Sequence, residues 1–202
     1  MLTDYALAIL AVVLGVLLVR HAVVTDSRAQ LVWAAAFGTT AAGAVTGGTW
    51  HGFADFMEAR VRRGLWKATQ LLLGLTGFAM VAGAALSLSR GVLLAGILLA
   101  AVVKFVLYAR AVATRDDFAV VVIDYSTSMA AVALMQVAAL AMWSAPSARW
   151  ILAGIGVAIA GSVVQGRRLS PHPHFNHNDL FHLVQMAAIW LFYRGGLLLG
   201  DR

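Results

Sequence analysis

The sequence predicts an all-α integral membrane protein, a single domain over residues 1–202 in which seven transmembrane helices form one bundle. Three observations carry that expectation. Of the residues, 61% are hydrophobic and only 12% charged, where soluble domains sit near half apolar and a quarter charged. Seven apolar stretches approach or exceed the roughly 20 residues that a bilayer core asks of a helix. The connections between them are short and carry charge or helix breakers, so no linker separates a second domain. A soluble core of this size has no room for so much apolar surface. The expected location is a cell membrane, plasma or inner, crossed several times.

The spans read as 4–24, 30–56, 66–88, 91–112, 118–143, 148–166 and 178–199. The first apolar run, 5–19, follows Asp4 rather than Lys or Arg and precedes no small-residue cleavage site, so it reads as a retained helix. Span 2 is rich in small residues (Ala34, Ala35, Ala36, Gly38, Gly43, Gly47, Gly48), and so is span 6 (Gly154, Gly156, Ala158, Gly161). Such residues let backbones approach closely and suit positions between other helices. The breaks fall at Thr25-Asp26-Ser27-Arg28, at 58–64, at Ser89-Arg90-Gly91, at Arg115-Asp116-Asp117 and at Ser144-Ala145-Pro146-Ser147. No internal repeat is visible.

The chain has no cysteine, which removes disulfides, thiolate metal sites and cysteine nucleophiles. Its net charge of +6 comes from basic residues flanking the spans, which touch headgroups and bias topology. No basic patch stands in a soluble setting, so no nucleic-acid partner is expected.

If the N-terminal side of the membrane is named A, the polar residues of several spans gather near it. Span 2 ends there with His51 and Asp55, and span 5 begins there with Asp124, Tyr125, Ser126 and Ser128. Span 7 begins there with Asn178, Asp179 and His182, and span 4 runs out through Lys104 and Tyr108. Ionisable groups inside spans are costly and face the bundle interior or a wet cavity. Their shared depth points to one common site. His51, Asp55 and Glu58, at i, i+4 and i+7, would share a helix face. His177 and His182 lie five apart, turned by about 140° on a helix, and serve one site only if His177 precedes the regular helix. Asn176 and Asp179 read as N-cap and N3 of span 7. His172 and His174 alternate with prolines and read as loop residues. Lys104 either snorkels outward or stands as counter-charge to Asp124.

Histidines with carboxylates and no thiols suit a Zn²⁺ ion with an open position for water. Zinc lowers the pKa of that water to about 7, so it attacks an amide or ester carbonyl. A nearby carboxylate takes the proton, and a hydroxyl steadies the oxyanion. The His-Glu-x-x-His signature of soluble metalloproteases is absent.

Gly47-Gly48-Thr49-Trp50-His51, Asn178-Asp179-Leu180-Phe181-His182 and Asp124-Tyr125-Ser126, laid out over seven spans, resemble the CREST superfamily. That group comprises the alkaline ceramidases, the progestin and adipoQ receptors and the Per1-like proteins. Its pattern is Ser-x-x-x-His in the second span, Asp in the third and His-x-x-x-His in the last, and the histidines hold zinc in the hydrolase-like members. Here Gly47 stands for the serine, Asn178 for the first histidine of the last motif, and Asp124 lies in span 5. The resemblance implies a zinc-dependent intramembrane hydrolase of a lipid amide or ester. Its ligands would be His51, His182 and, compensating for Asn178, His177. Asp124 or Asp55 would activate the water, and Ser126, two residues from Asp124, completes the candidate catalytic set.

Three rivals share the same residues. A binding or sensing protein would keep the histidine layer without turnover. A b-type cytochrome would use His51 and His182 as axial haem ligands and show a Soret band. A proton-coupled transporter would relay protons through Asp124, Lys104 and the histidines.

Overall fold

A computed structural model describes residues 1–172 and 175–201, and His174 lies outside the described residues. Among these residues the chain forms seven α-helices: α1 (Leu2–Thr25), α2 (Arg28–Phe53), α3 (Ala59–Leu88), α4 (Gly91–Thr114), α5 (Ala119–Trp143), α6 (Pro146–Gly166) and α7 (His177–Gly196). Five of them, α1 and α3 to α6, are long and apolar enough to cross a membrane. The other two, α2 and α7, carry His51 and the pair His177 and His182.

The boundaries follow local chemistry. Ser27 caps α2 by accepting the Gln30 amide at 3.3 Å. Pro146 opens α6, where its missing N–H costs nothing. Asn176 and Asp179 form the expected capping box on α7, with Asn176 Oδ1 accepting from the amides of Asn178 (2.8 Å) and Asp179 (3.3 Å). α2 stops earlier than the sequence suggests. It ends at Phe53, a 3₁₀ turn covers Ala54–Phe56, and Met57 is extended. The expected common face of His51, Asp55 and Glu58 is therefore broken, and Glu58 becomes the N-cap of α3.

α1 packs on α2 and α7, α2 on α3, α3 on α5, α5 on α6, and α6 on α7. That order closes a ring of six helices, with α4 applied to the outside of α3 and α5. Of α4 only Ala101, Tyr108 and Val112 are buried, whereas α3 is buried almost continuously from Ala79 to Ala85. The small residues expected to bring backbones together do so. A methyl group at Gly83 of α3 would stand 3.1 Å from the Trp33 amide nitrogen of α2. Trp33 is fully buried, donates its indole N–H to Phe192 O at 3.0 Å and meets the Phe192 ring edge-on.

Polar staples tie the helix ends. Asp201 accepts from the Ser27 hydroxyl (3.0 Å) and the amides of Arg28 (2.9 Å) and Ala29 (2.7 Å). A carboxylate suits the positive end of a helix. Partial burial works against the charged form of Asp201, but those three hydrogen bonds prevail and hold its carboxyl below the usual range. Lys67 of α3 donates to Val112 O and Arg115 O, capping the end of α4, and pairs with Asp116 at 2.7 Å. Its hydrogen bond and charge hold the Asp116 carboxyl below the usual range.

Candidate functional site

The polar layer near side A divides into two clusters. The first forms where the start of α1, the end of α2 and the start of α7 meet. Asp4 lies one turn into α1 with its side chain 5% exposed. Gly48 of α2 makes that placement possible, because it presents no side chain to the carboxylate. Asp4 Oδ1 stands 3.5 Å from His182 Nε2, and Oδ2 stands 3.0 Å from the Met1 amino nitrogen. The other His182 nitrogen, Nδ1, is 3.1 Å from Thr3 Oγ1. Thr3 in turn donates to Asp179 Oδ1 at 2.8 Å.

This geometry fixes the tautomer. Thr3 spends its only proton on Asp179, so it receives one from His182 Nδ1–H. Nε2 is then the nitrogen at which His182 gains a proton, beside the Asp4 carboxylate. The His182 side chain is only 12% exposed. His51 stands within electrostatic reach of both Asp4 and His182, on an exposed edge of the cluster. Its ring meets those of Trp50 (5.3 Å) and Trp66 (6.4 Å), and the stack continues from Trp66 to Phe118 (5.6 Å). His51 and His182 thus lie within electrostatic reach of each other.

The second cluster lies between α3, α4 and α5. Lys104 Nζ donates to Asp124 Oδ1 (2.5 Å), Asp124 O (2.9 Å) and Ser128 Oγ (2.8 Å). Tyr108 donates to Gln70 O at 2.5 Å. Lys104 is therefore the counter-charge to Asp124, not an outward snorkel. None of the partners of Asp124 belongs to the histidine cluster, so the expectation of one common site gives way to two.

Other expected residues fall elsewhere. His177 is the first residue of regular α7, so the turn between it and His182 carries it away from the cluster; its Nδ1 lies 3.5 Å from Ser170 Oγ. Asp55 is exposed in the 3₁₀ turn, and Ser126 is exposed on α5 while Ser128 faces Lys104. His172 is exposed and pairs its backbone with Phe175.

The three-histidine zinc set is not assembled. Among the described residues no three His, Asp or Glu side chains are arranged to hold a metal ion. Of the His182 nitrogens, Nδ1 is engaged with Thr3, and Nε2 lies beside the Asp4 carboxylate. A proton relay through Asp124, Lys104 and the histidines would have to bridge two separate clusters.

Sequence reasoning missed Thr3 and treated Asp4 only as an acidic residue ahead of an apolar run. The available signal was depth: α1 starts on side A, which places Asp4 level with His51 and His182.

No curated protein and no solved structure matches the chain. One family model does, over residues 1–201, and it is described as a family of unknown function, DUF6962. A match over nearly the whole length places this chain in that family.

Proposed function

We propose that the chain is a seven-span membrane protein that hydrolyses an amide or ester bond of a membrane lipid, with His182 as general base. The membrane part of this reading rests on the five apolar helices and on the positions of α2 and α7 between them. With 26 and 20 residues, both are long enough to span. Their polarity belongs to the histidine cluster and to small residues packed inside the ring. The location would be a cell membrane, plasma or inner.

The observation that carries the chemistry is the bracketing of His182 by Thr3 at Nδ1 and Asp4 at Nε2. A water molecule attacking the lipid carbonyl passes its proton to Nε2 as its oxygen bonds to carbon. Asp4 stabilises the imidazolium that results, and Thr3 with Asp179 holds the ring in orientation. His182 then returns the proton to the leaving amine or alkoxide as the carbon–heteroatom bond breaks. The products are a carboxylic acid and an amine or alcohol. The exposed Phe53 and Phe56, two and five residues after His51, give the lipid an apolar approach. No step passes through a metal, because the described side chains do not converge on one.

The test is hydrolysis by the protein reconstituted in liposomes, with a fluorescent ceramide-type amide and a fluorescent diacylglycerol ester as substrates. Wild type is expected to cleave at least one. His182→Gln is expected to lose activity by about 10²–10⁴-fold, the usual contribution of a positioned base, while keeping its elution profile and helical circular dichroism. Failure of the wild type on both bonds, or an active His182→Gln protein, overturns the reading.

A further inference from the structure

The Lys104–Asp124 cluster lies at the floor of a crevice of about 200 Å³ between α3, α4 and α5. Its walls include Phe78, Ile97 and Phe105. Outside the crevice, α4 presents Leu99, Val103, Val106 and Leu107 with no helix over them. The Lys104 side chain is 34% exposed and that of Asp124 only 6%.

The charges at the floor balance each other. All three ammonium protons of Lys104 are used, two of them on Asp124 and one on Ser128. A charged headgroup entering here would add a third, uncompensated charge at low dielectric, which is expensive. A neutral head carrying both a donor and an acceptor meets no such penalty. Taking the place of Ser128, it can accept from Lys104, and it can donate to the Asp124 carboxylate, without separating the pair. The volume is below the roughly 300–1,000 Å³ typical of drug-sized ligands. It suits a small head and its first carbons, with the remaining chain along the apolar face of α4.

We infer that this crevice binds a long-chain amphiphile with a neutral hydroxyl- or amide-bearing head, between the Lys104–Asp124 pair and the apolar outer face of α4. The site is separate from the His182 cluster and does not depend on hydrolysis there.

The experiment uses the His182→Gln protein in nanodiscs, so that turnover cannot consume the probe. A monoacylglycerol with a diazirine in its acyl chain is photoactivated, and the labelled peptides are mapped by mass spectrometry. Labels are expected on the crevice segments of α4 and α5, and Ala100→Trp is expected to abolish them by filling the mouth. Thr127→Trp, on the opposite wall, provides a second blocking variant; both positions are exposed, so the fold has room for either. Diazirine analogues with a carboxylate or an ammonium head are expected to label these segments less. Equal labelling by all three probes, or labelling that persists in both tryptophan variants, overturns the inference. Hydrolysis by the wild type, present or absent, leaves this result unaffected.

Discussion

Gly48 of α2 and Asp4 of α1 share one space: a methyl group at the glycine would stand 2.6 Å from the Asp4 Cβ. The obstacle lies at the root of a side chain on a packed helix, so it yields only if α1 shifts. Gly48→Ala is expected to destabilise the protein by roughly 1–3 kcal/mol, as overpacking does, and to stop hydrolysis. Asp4→Gly added to Gly48→Ala should restore the melting temperature without restoring hydrolysis. A Gly48→Ala protein that melts and reacts like wild type would contradict this packing.

Lys104 and Asp124 give an asymmetric prediction. Lys104→Met alone leaves a buried carboxylate without its partner, a loss of roughly 3–5 kcal/mol in comparable pairs. Replacing both, as Lys104→Met with Asp124→Leu, removes the charge together with its desolvation cost and should recover most of that loss. Thermal melts of the two single variants and the double variant measure the coupling. Additive effects would show that the pair does not interact.

The Asp201 staple predicts a pH dependence. Its carboxyl is held below the usual range in the folded protein. Its contribution is therefore fully present above the unfolded carboxylate value of about 3.9. It is lost as pH falls through the lower folded value. Wild type should melt higher than Asp201→Asn at pH 7, with the gap closing towards pH 3. The carboxylate is exposed, so added salt should narrow the gap as well. A gap that widens on acidification would refute the staple.

Metal dependence separates the proposed chemistry from that implied by the resemblance. Hydrolysis through His182 and Asp4 is expected to survive dialysis against EDTA and 1,10-phenanthroline, and His177→Ala to retain full activity. Activity lost to chelators and recovered with zinc alone would return His177 and the metal to the mechanism.

Asp55 is expected from its i, i+4 spacing to His51 and Ser126 from the resemblance, yet both are exposed. Asp55→Ala and Ser126→Ala should leave activity unchanged and stability within about 0.5 kcal/mol, as surface changes usually do. A large loss of turnover in either would bring it back to the site.

Depth was readable from the sequence, and azimuth was not. Counting residues from each helix end placed His51, His182, Asp124 and Lys104 near side A, and the capping pair Asn176 and Asp179 followed from residue type alone. Helices apolar on every side carry no periodic signal of which face meets which neighbour. Nothing local to Asp124 therefore says that it turns to Lys104 rather than to His182. The same blindness hid Thr3, whose role depends on α7, 176 residues away at Asp179. The early end of α2 was hidden for a different reason: Ala54-Asp55-Phe56 holds no proline or glycine to break a helix, and only the backbone turn separates Asp55 from the face of His51.

α3 has 30 residues, about 45 Å of helix, against a bilayer core of about 30 Å. Its first turns carry Arg60, Arg62 and Arg63, all exposed, and its far end is buried among its neighbours. In the proposed membrane setting the excess length would carry the arginines out to the headgroups. In the proposed seven-span arrangement His182 sits at the same end of the bundle as those arginines, so the thickness of the host membrane would control its access to water. A thicker bilayer would submerge the histidine, and a thinner one would expose it.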